Sequence, residues 1–127
     1  MPDEAVMASV YPVIGEEGFG RLVGQFYRQV PTDELLGPMY PPNELAEAER
    51  RLRNFLVFRF GGPQRYIAER GHPRLRIRHA PFAISQAARD RWIALMDRAI
   101  QEAGLPLQIV EILQPFLAET ATFLINR

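Results

Sequence analysis

Apolar residues recur at spacings of three and four along four stretches of the chain, the signature of amphipathic helices. Phe19, Leu22, Val23, Phe26, Tyr27 and Val30 share one face of the first, which Pro31 ends. Gly20 and Gly24 lie on that helix, lower its propensity, and point to close packing against a neighbour. Leu45, Ala48, Leu52, Phe55 and Leu56 form the stripe of the second, with Asn43 as its N-cap and Gly61-Gly62-Pro63 as its stop. Its Glu44, Glu47 and Glu49 precede Arg50, Arg51 and Arg53, which suits the helix dipole and offers pairs such as Glu47 with Arg51. The third carries Ala88, Trp92, Leu95, Met96, Ala99 and Ile100 between a Ser85 cap and a Gly104 stop. The last carries Ile109, Ile112, Leu113, Phe116, Leu117, Thr120, Ala121 and Leu124. Pro115 falls within that pattern, so this helix either kinks there or starts around Gln114.

The connecting pieces are less regular. Met1 to Tyr11 suits a short helix that Pro12 and Gly15 break. Thr32 to Tyr40 reads as a helical turn capped by Thr32 or Asp33, and Pro38, Pro41 and Pro42 stiffen the corner that holds Tyr40. Gln64 to Gly71 suits another turn. From Arg74 to His79, arginines alternate with apolar residues, a strand period with no second stretch to pair with. The pattern predicts an all-α chain with a bundle or globin-like packing.

Composition narrows the chemistry. At 127 residues the chain suits one domain, 1–127. It can bury roughly two thirds of its unfolded surface. Net charge is zero, which argues against nucleic acid or an anionic membrane as a partner. There is no cysteine, so disulfides, thiolate metal sites and cysteine nucleophiles are excluded. No apolar run reaches the 18 or so residues of a membrane span. Asp3 and Glu4 stand where a signal peptide has positive charge, so a cytoplasmic location is expected. No P-loop, GxGxxG, HExxH or GxSxG motif occurs.

Four residues stand out: His79, Tyr27, Tyr40 and Trp92. A lone histidine in a small helical protein is usually a packed or surface residue. A tyrosine or tryptophan on an apolar face is usually core, though its O–H or N–H still needs an acceptor. A histidine between a basic cluster and an apolar segment also suits a buried anionic cofactor. One ring nitrogen can bind a metal, and arginines meet carboxylates.

Taken together, the motifs resemble the truncated haemoglobins, specifically the second group of that family. The matching text is Phe26-Tyr27, Met39-Tyr40-Pro41, the run from Glu49 to Leu56, Gly61-Gly62-Pro63, the run from Arg70 to Arg76, the run from Arg78 to Ile84, and Arg89-Asp90-Arg91-Trp92. It extends from about Val13 to Asn126, in order and with the right spacing. The resemblance implies a two-over-two helical sandwich around haem b. The first two strong helices would be B and E, the last two G and H, and the His79 segment the F region, which in the family is largely a loop.

On that resemblance His79 would be the fifth ligand of the haem iron, its other ring nitrogen donating to a carbonyl or carboxylate. The sixth position would stay open to O2, CO, NO or another diatomic ligand. Ala48 stands at the E-helix position that often holds histidine. Stabilisation of a partly negative ligand would therefore fall to Tyr27 and Trp92, with Tyr40 close by. Leu52 and Phe55 would line the apolar wall, with Phe82 also against the haem. Arg51, Arg76 or Arg78, with Tyr66, would meet the propionates. Two departures from the family pattern stand out. Ile14-Gly15 replaces its usual glycine pair, which bears on the first corner, and Pro115 interrupts the last helix, which bears on packing and on contacts in a homodimer. The implied function is reversible binding of O2 and other diatomic gases. The alternative is a haem enzyme, a peroxidase or a nitric oxide dioxygenase, whose electron donor would be a separate reductase. Without the resemblance, a helical interaction module with His79 and Trp92 in its core would be the reading.

Overall fold

The computed structural model describes residues 3–127, which contain helices and turns and no strand. The Met1 end of the expected first helix lies outside the described residues. Seven α-helices follow in order: α1 Glu4–Ala8, α2 Val10–Gln29, α3 Leu45–Arg59, α4 Arg65–Arg70, α5 Leu75–His79, α6 Gln86–Ala103 and α7 Leu107–Phe123. Three short 3-10 turns lie between α2 and α3. None of these helices is long and apolar enough to cross a membrane.

The break expected at Pro12 and Gly15 becomes a kink inside α2. Pro12 sits in the first turn, where its missing N–H costs no helical bond. Gly15 alone takes a positive φ, 62°, and the helix resumes after it. One glycine is enough to turn this corner. The close packing expected at Gly20 and Gly24 is absent. A Cβ at Gly20 would meet nothing within 4 Å, and one at Gly24 only Glu49 Oε2 at 3.7 Å.

Of two expected caps, one holds and one is replaced. Of Thr32 and Asp33, it is Asp33 that caps the turn, accepting from the N–H groups of Leu36 at 2.8 Å and Leu35 at 3.0 Å. Asn43 does not cap α3. The proline pair starts a 3-10 turn, Pro42–Glu44, that runs straight into the helix, so Asn43 is inside the turn and Glu44 takes the cap position. At the other end of α3, Gly61 adopts φ 97° and Gly62 N–H returns to the Val57 carbonyl at 2.8 Å. That tight reversal brings the Phe60 carbonyl to the Tyr11 N–H at 3.1 Å and closes α3 onto the start of α2.

The Arg74–His79 alternation is not a strand. A strand needs a ladder partner, and here the backbone bonds locally instead, Arg78 N–H to the Arg74 carbonyl at 3.1 Å. Nor is it a plain loop, since α5 gives His79 one helical turn. Ser85 caps α6 as expected, accepting from Ala88 N–H at 3.1 Å, and Gly104 ends it with φ 65°. α7 runs through Pro115 rather than starting at Gln114. The Glu47–Arg51 pair is present but long, 3.9 Å.

α2 packs against both α3 and α6, and α6 against α7, giving the two-over-two arrangement. Phe19, Leu22, Phe26, Leu56, Phe60, Met96 and Leu113 fill the core between them. Several stripe positions are only half-buried: Leu52, Trp92, Thr120, Ala121 and Leu124. All five line one cavity.

Asp33 also binds Arg91 Nη1 at 2.7 Å, tying the corner before Tyr40 to α6. Burial would raise its pKa. The Leu36 N–H, Arg91 and the Leu35 N–H outweigh burial and hold the carboxyl below its usual value. A depressed carboxylate stabilises the fold above its unfolded pKa, about 3.9, and that contribution fades as pH falls through the lower folded value. Asp33→Asn is therefore expected to lower the urea midpoint at pH 6, with the gap to wild type closing towards pH 3. A gap that stays constant with pH would count against this linkage.

Candidate functional site

The cavity has a volume of about 680 Å³, within the range of roughly 300–1,000 Å³ usual for ligand sites. α3 contributes Ala48, Arg51, Leu52 and Phe55 to its wall; α4 contributes Tyr66 and Arg70; α5 contributes Leu75, Arg78 and His79. The segment after α5 adds Phe82 and Ile84, α6 adds Ala88, Arg89 and Trp92, and α7 adds Phe116, Leu117, Thr120, Ala121 and Leu124. Tyr27 and Tyr40 complete it from α2 and the proline corner. Of the residues expected to gather here, only Arg76 does not line the cavity. Its guanidinium lies 4.7 Å from the centroid of the Phe123 ring instead.

His79 has a defined tautomer. Its Nδ1 lies 2.7 Å from the Leu75 carbonyl, one helical turn back. A carbonyl can only accept, so Nδ1 carries the proton and the neutral ring keeps its lone pair on Nε2. Nε2 has no hydrogen-bond partner among the described residues. Arg78, next to it, is already engaged. Its guanidinium donates to the carbonyls of Pro73 at 2.6 Å, Arg70 at 2.7 Å and His72 at 3.2 Å. This folds the α4–α5 loop around one side chain and leaves Arg78 fewer free donors for a carboxylate.

Tyr27, Tyr40 and Trp92 form a second cluster. The Tyr27 and Tyr40 rings meet edge to face at 5.6 Å, and Phe26 packs behind against Tyr27 at 5.0 Å and Trp92 at 5.3 Å. Burial raises the Tyr27 pKa well above the usual phenol value, and the neighbouring Tyr40 adds to the effect. Burial also raises that of Tyr40, while hydrogen bonds to Tyr27 and Trp92 pull it partly back. Both phenols keep their protons at neutral pH and remain donors. Ala48 is buried beside them with a small side chain.

The donor set suits a metal that brings most of its own ligands. Among the described residues no three His, Asp or Glu side chains gather to hold a bare ion. One imidazole with a free Nε2, facing a largely apolar cavity with arginines among its lining residues, fits a haem: the nitrogen could hold the iron, the apolar wall could cover the porphyrin, and the cations could meet its carboxylates. Arg51 and Arg70 reach the cavity and are exposed enough to swing. Sequence reasoning missed Arg70, although it opens one of the matched motifs. It also missed the part played by Thr120, Ala121 and Leu124, whose place on an apolar stripe reads equally well as core.

The profile of the bacterial-like globin family matches residues 9–125. The chain is 40% identical over 117 residues to the group 2 truncated hemoglobin YjbI of Bacillus subtilis, covering 92% of this chain and 88% of that protein. Among solved structures, the hemoglobin of Chloroflexus aurantiacus superposes with a TM-score of 0.89 at 39% identity, covering 93% of this chain and 98% of that one. The truncated oxygen-avid haemoglobin of Bacillus subtilis superposes with a TM-score of 0.87 at 40% identity, covering 91% and 98%. The helical arrangement, the histidine-bearing cavity and these likenesses agree, and the chain belongs to the bacterial-like globins, among the group II truncated haemoglobins, which bind haem iron.

Proposed function

We propose that the protein binds O2 and other diatomic ligands reversibly, with His79 holding the haem iron and Tyr27, Tyr40 and Trp92 facing the bound gas. The observation that carries this reading is one cavity lined both by an imidazole with a free Nε2 and by a cluster of polar hydrogens. Haem iron supplies the coordination position at which the gas sits.

The residues then divide the work. The Leu75 carbonyl orients the His79 ring and fixes the tautomer that leaves Nε2 free to ligate iron. On the other side, the Tyr27 and Tyr40 hydroxyls and the Trp92 indole N–H line the same cavity and would be the donors to the bound gas. Leu52 and Phe55 keep water from the apolar wall. Arg51 and Arg70 are the cations placed to meet the propionates.

Hydrogen bonds to a partly charged ligand contribute about 1.5–3 kcal/mol each. Two of them would slow release by a factor on the order of 100 or more. This supports storage, sensing or redox chemistry over transport, and accords with the oxygen avidity attributed to the Bacillus subtilis protein. The test is stopped-flow O2 dissociation from the haem-loaded protein. Trp92→Phe is expected to speed release about tenfold, the loss of one such bond. Unchanged kinetics would take Trp92 out of the ligand network.

A further inference from the structure

α5 is too small to hold a metal ligand in place unaided. It spans five residues, buries none of them, and begins after Arg74 in a left-handed conformation. An isolated turn of this length has no cooperative stability. Whatever fixes His79 must come from tertiary contacts. Arg78 gathers the carbonyls before α5, as described above. The carbonyls after it are gathered from the far end of the chain. Asn126 Nδ2 donates to the Phe82 carbonyl at 3.0 Å and the His79 carbonyl at 3.3 Å. Asn126 Oδ1 accepts from the Ile84 N–H at 2.9 Å. The Asn126 N–H completes the clasp on the Ile84 carbonyl, also at 2.9 Å.

One side chain therefore satisfies three backbone groups across the segment between the proximal histidine and Ser85, the cap of the helix that carries Trp92. We propose that Asn126 is a positioning residue for the haem site. It holds the backbone of His79 at a set height and tilt, and so sets the strain on the bond from Nε2 to the metal. This rests on the reading of His79 as the iron ligand. An amide is suited to the task because it offers donors and an acceptor from one planar group. Asp supplies only acceptors and Leu supplies neither.

The experiment uses the haem-loaded protein, with Asn126→Asp, Asn126→Leu and Arg127→Ala as variants. The iron–imidazole stretching band is read by resonance Raman in the reduced, gas-free form. Haem transfer to apomyoglobin gives the loss rate, and amide exchange at Ile84 is followed in the haem-free protein. Asn126→Asp keeps the acceptor for Ile84 but loses both donors, so the band is expected to shift or broaden. Haem is expected to leave about tenfold faster, while Ile84 stays protected. Asn126→Leu is expected to free Ile84 as well. Arg127→Ala is expected to match wild type in all three readouts. If Asn126→Leu does not fold, Asn126→Asp decides. A wild-type band and a loss rate within about twofold of wild type in Asn126→Asp would overturn the inference. A wild type with no iron–imidazole band would instead overturn the assignment of His79, and the inference with it.

Discussion

His79→Ala is expected to yield a folded helical protein that no longer holds haem as a stoichiometric, CO-responsive chromophore. The two halves of that expectation have different physical grounds. α5 buries no side chain, and His79 is half-buried at its end. Removing the imidazole therefore opens little cavity and breaks one hydrogen bond, that from Nδ1 to Leu75, a net cost of about 1 kcal/mol. The metal loses the one imidazole that lines the cavity. Absorption spectra of the ferric, reduced and CO-bound forms, beside far-UV circular dichroism, separate the effects. Wild type should show a sharp Soret band that moves with CO. The variant should keep its helix signal and lose or broaden the band. A variant with the wild-type spectrum would show that another group ligates the iron, and the assignment of the proximal side would fall.

Phe26→Ala is expected to have the largest effect on stability and to reach the ligand as well. The ring has no exposed surface, and it packs where α2 meets α6. Truncating a fully buried phenylalanine costs about 3–5 kcal/mol from lost transfer energy plus the cavity left behind. The same ring backs both Tyr27 and Trp92, at 5.0 and 5.3 Å between centroids. Without it the two donors gain room to tilt away from Tyr40. Urea denaturation should show the stability loss, and O2 release should quicken even in the fraction that stays folded. A loss below about 1 kcal/mol would mean the core refills around the gap, and unchanged release would mean the donors are held by their own hydrogen bonds rather than by packing.

The four strong helices were legible because periodicity reports which face of a helix is apolar. It does not report what covers that face. Leu52, Trp92, Thr120, Ala121 and Leu124 obey the same spacing as true core residues, yet they line the cavity. Caps were legible only where no second signal competed. Ser85 caps as its residue type suggests, whereas Asn43 yields to a turn that the preceding prolines begin. The alternation in the Arg74–His79 run carries a strand's period without a strand's partner, and local bonding resolves it as helix.

By itself the sequence determined the helical class, the buried faces, and an inventory of one candidate histidine and three polar aromatics, because these follow from local spacing and residue chemistry. Its motifs also carried the family. The roles of chemically identical side chains were decided by the tertiary structure alone. Arg76 lies over an aromatic ring, Arg78 gathers backbone carbonyls, and Arg51 and Arg70 face the cavity. Asn126 reaches His79 across 47 positions of chain. A hydrogen bond requires its partners within about 3 Å, and no local pattern says which groups the folded helices will bring that close.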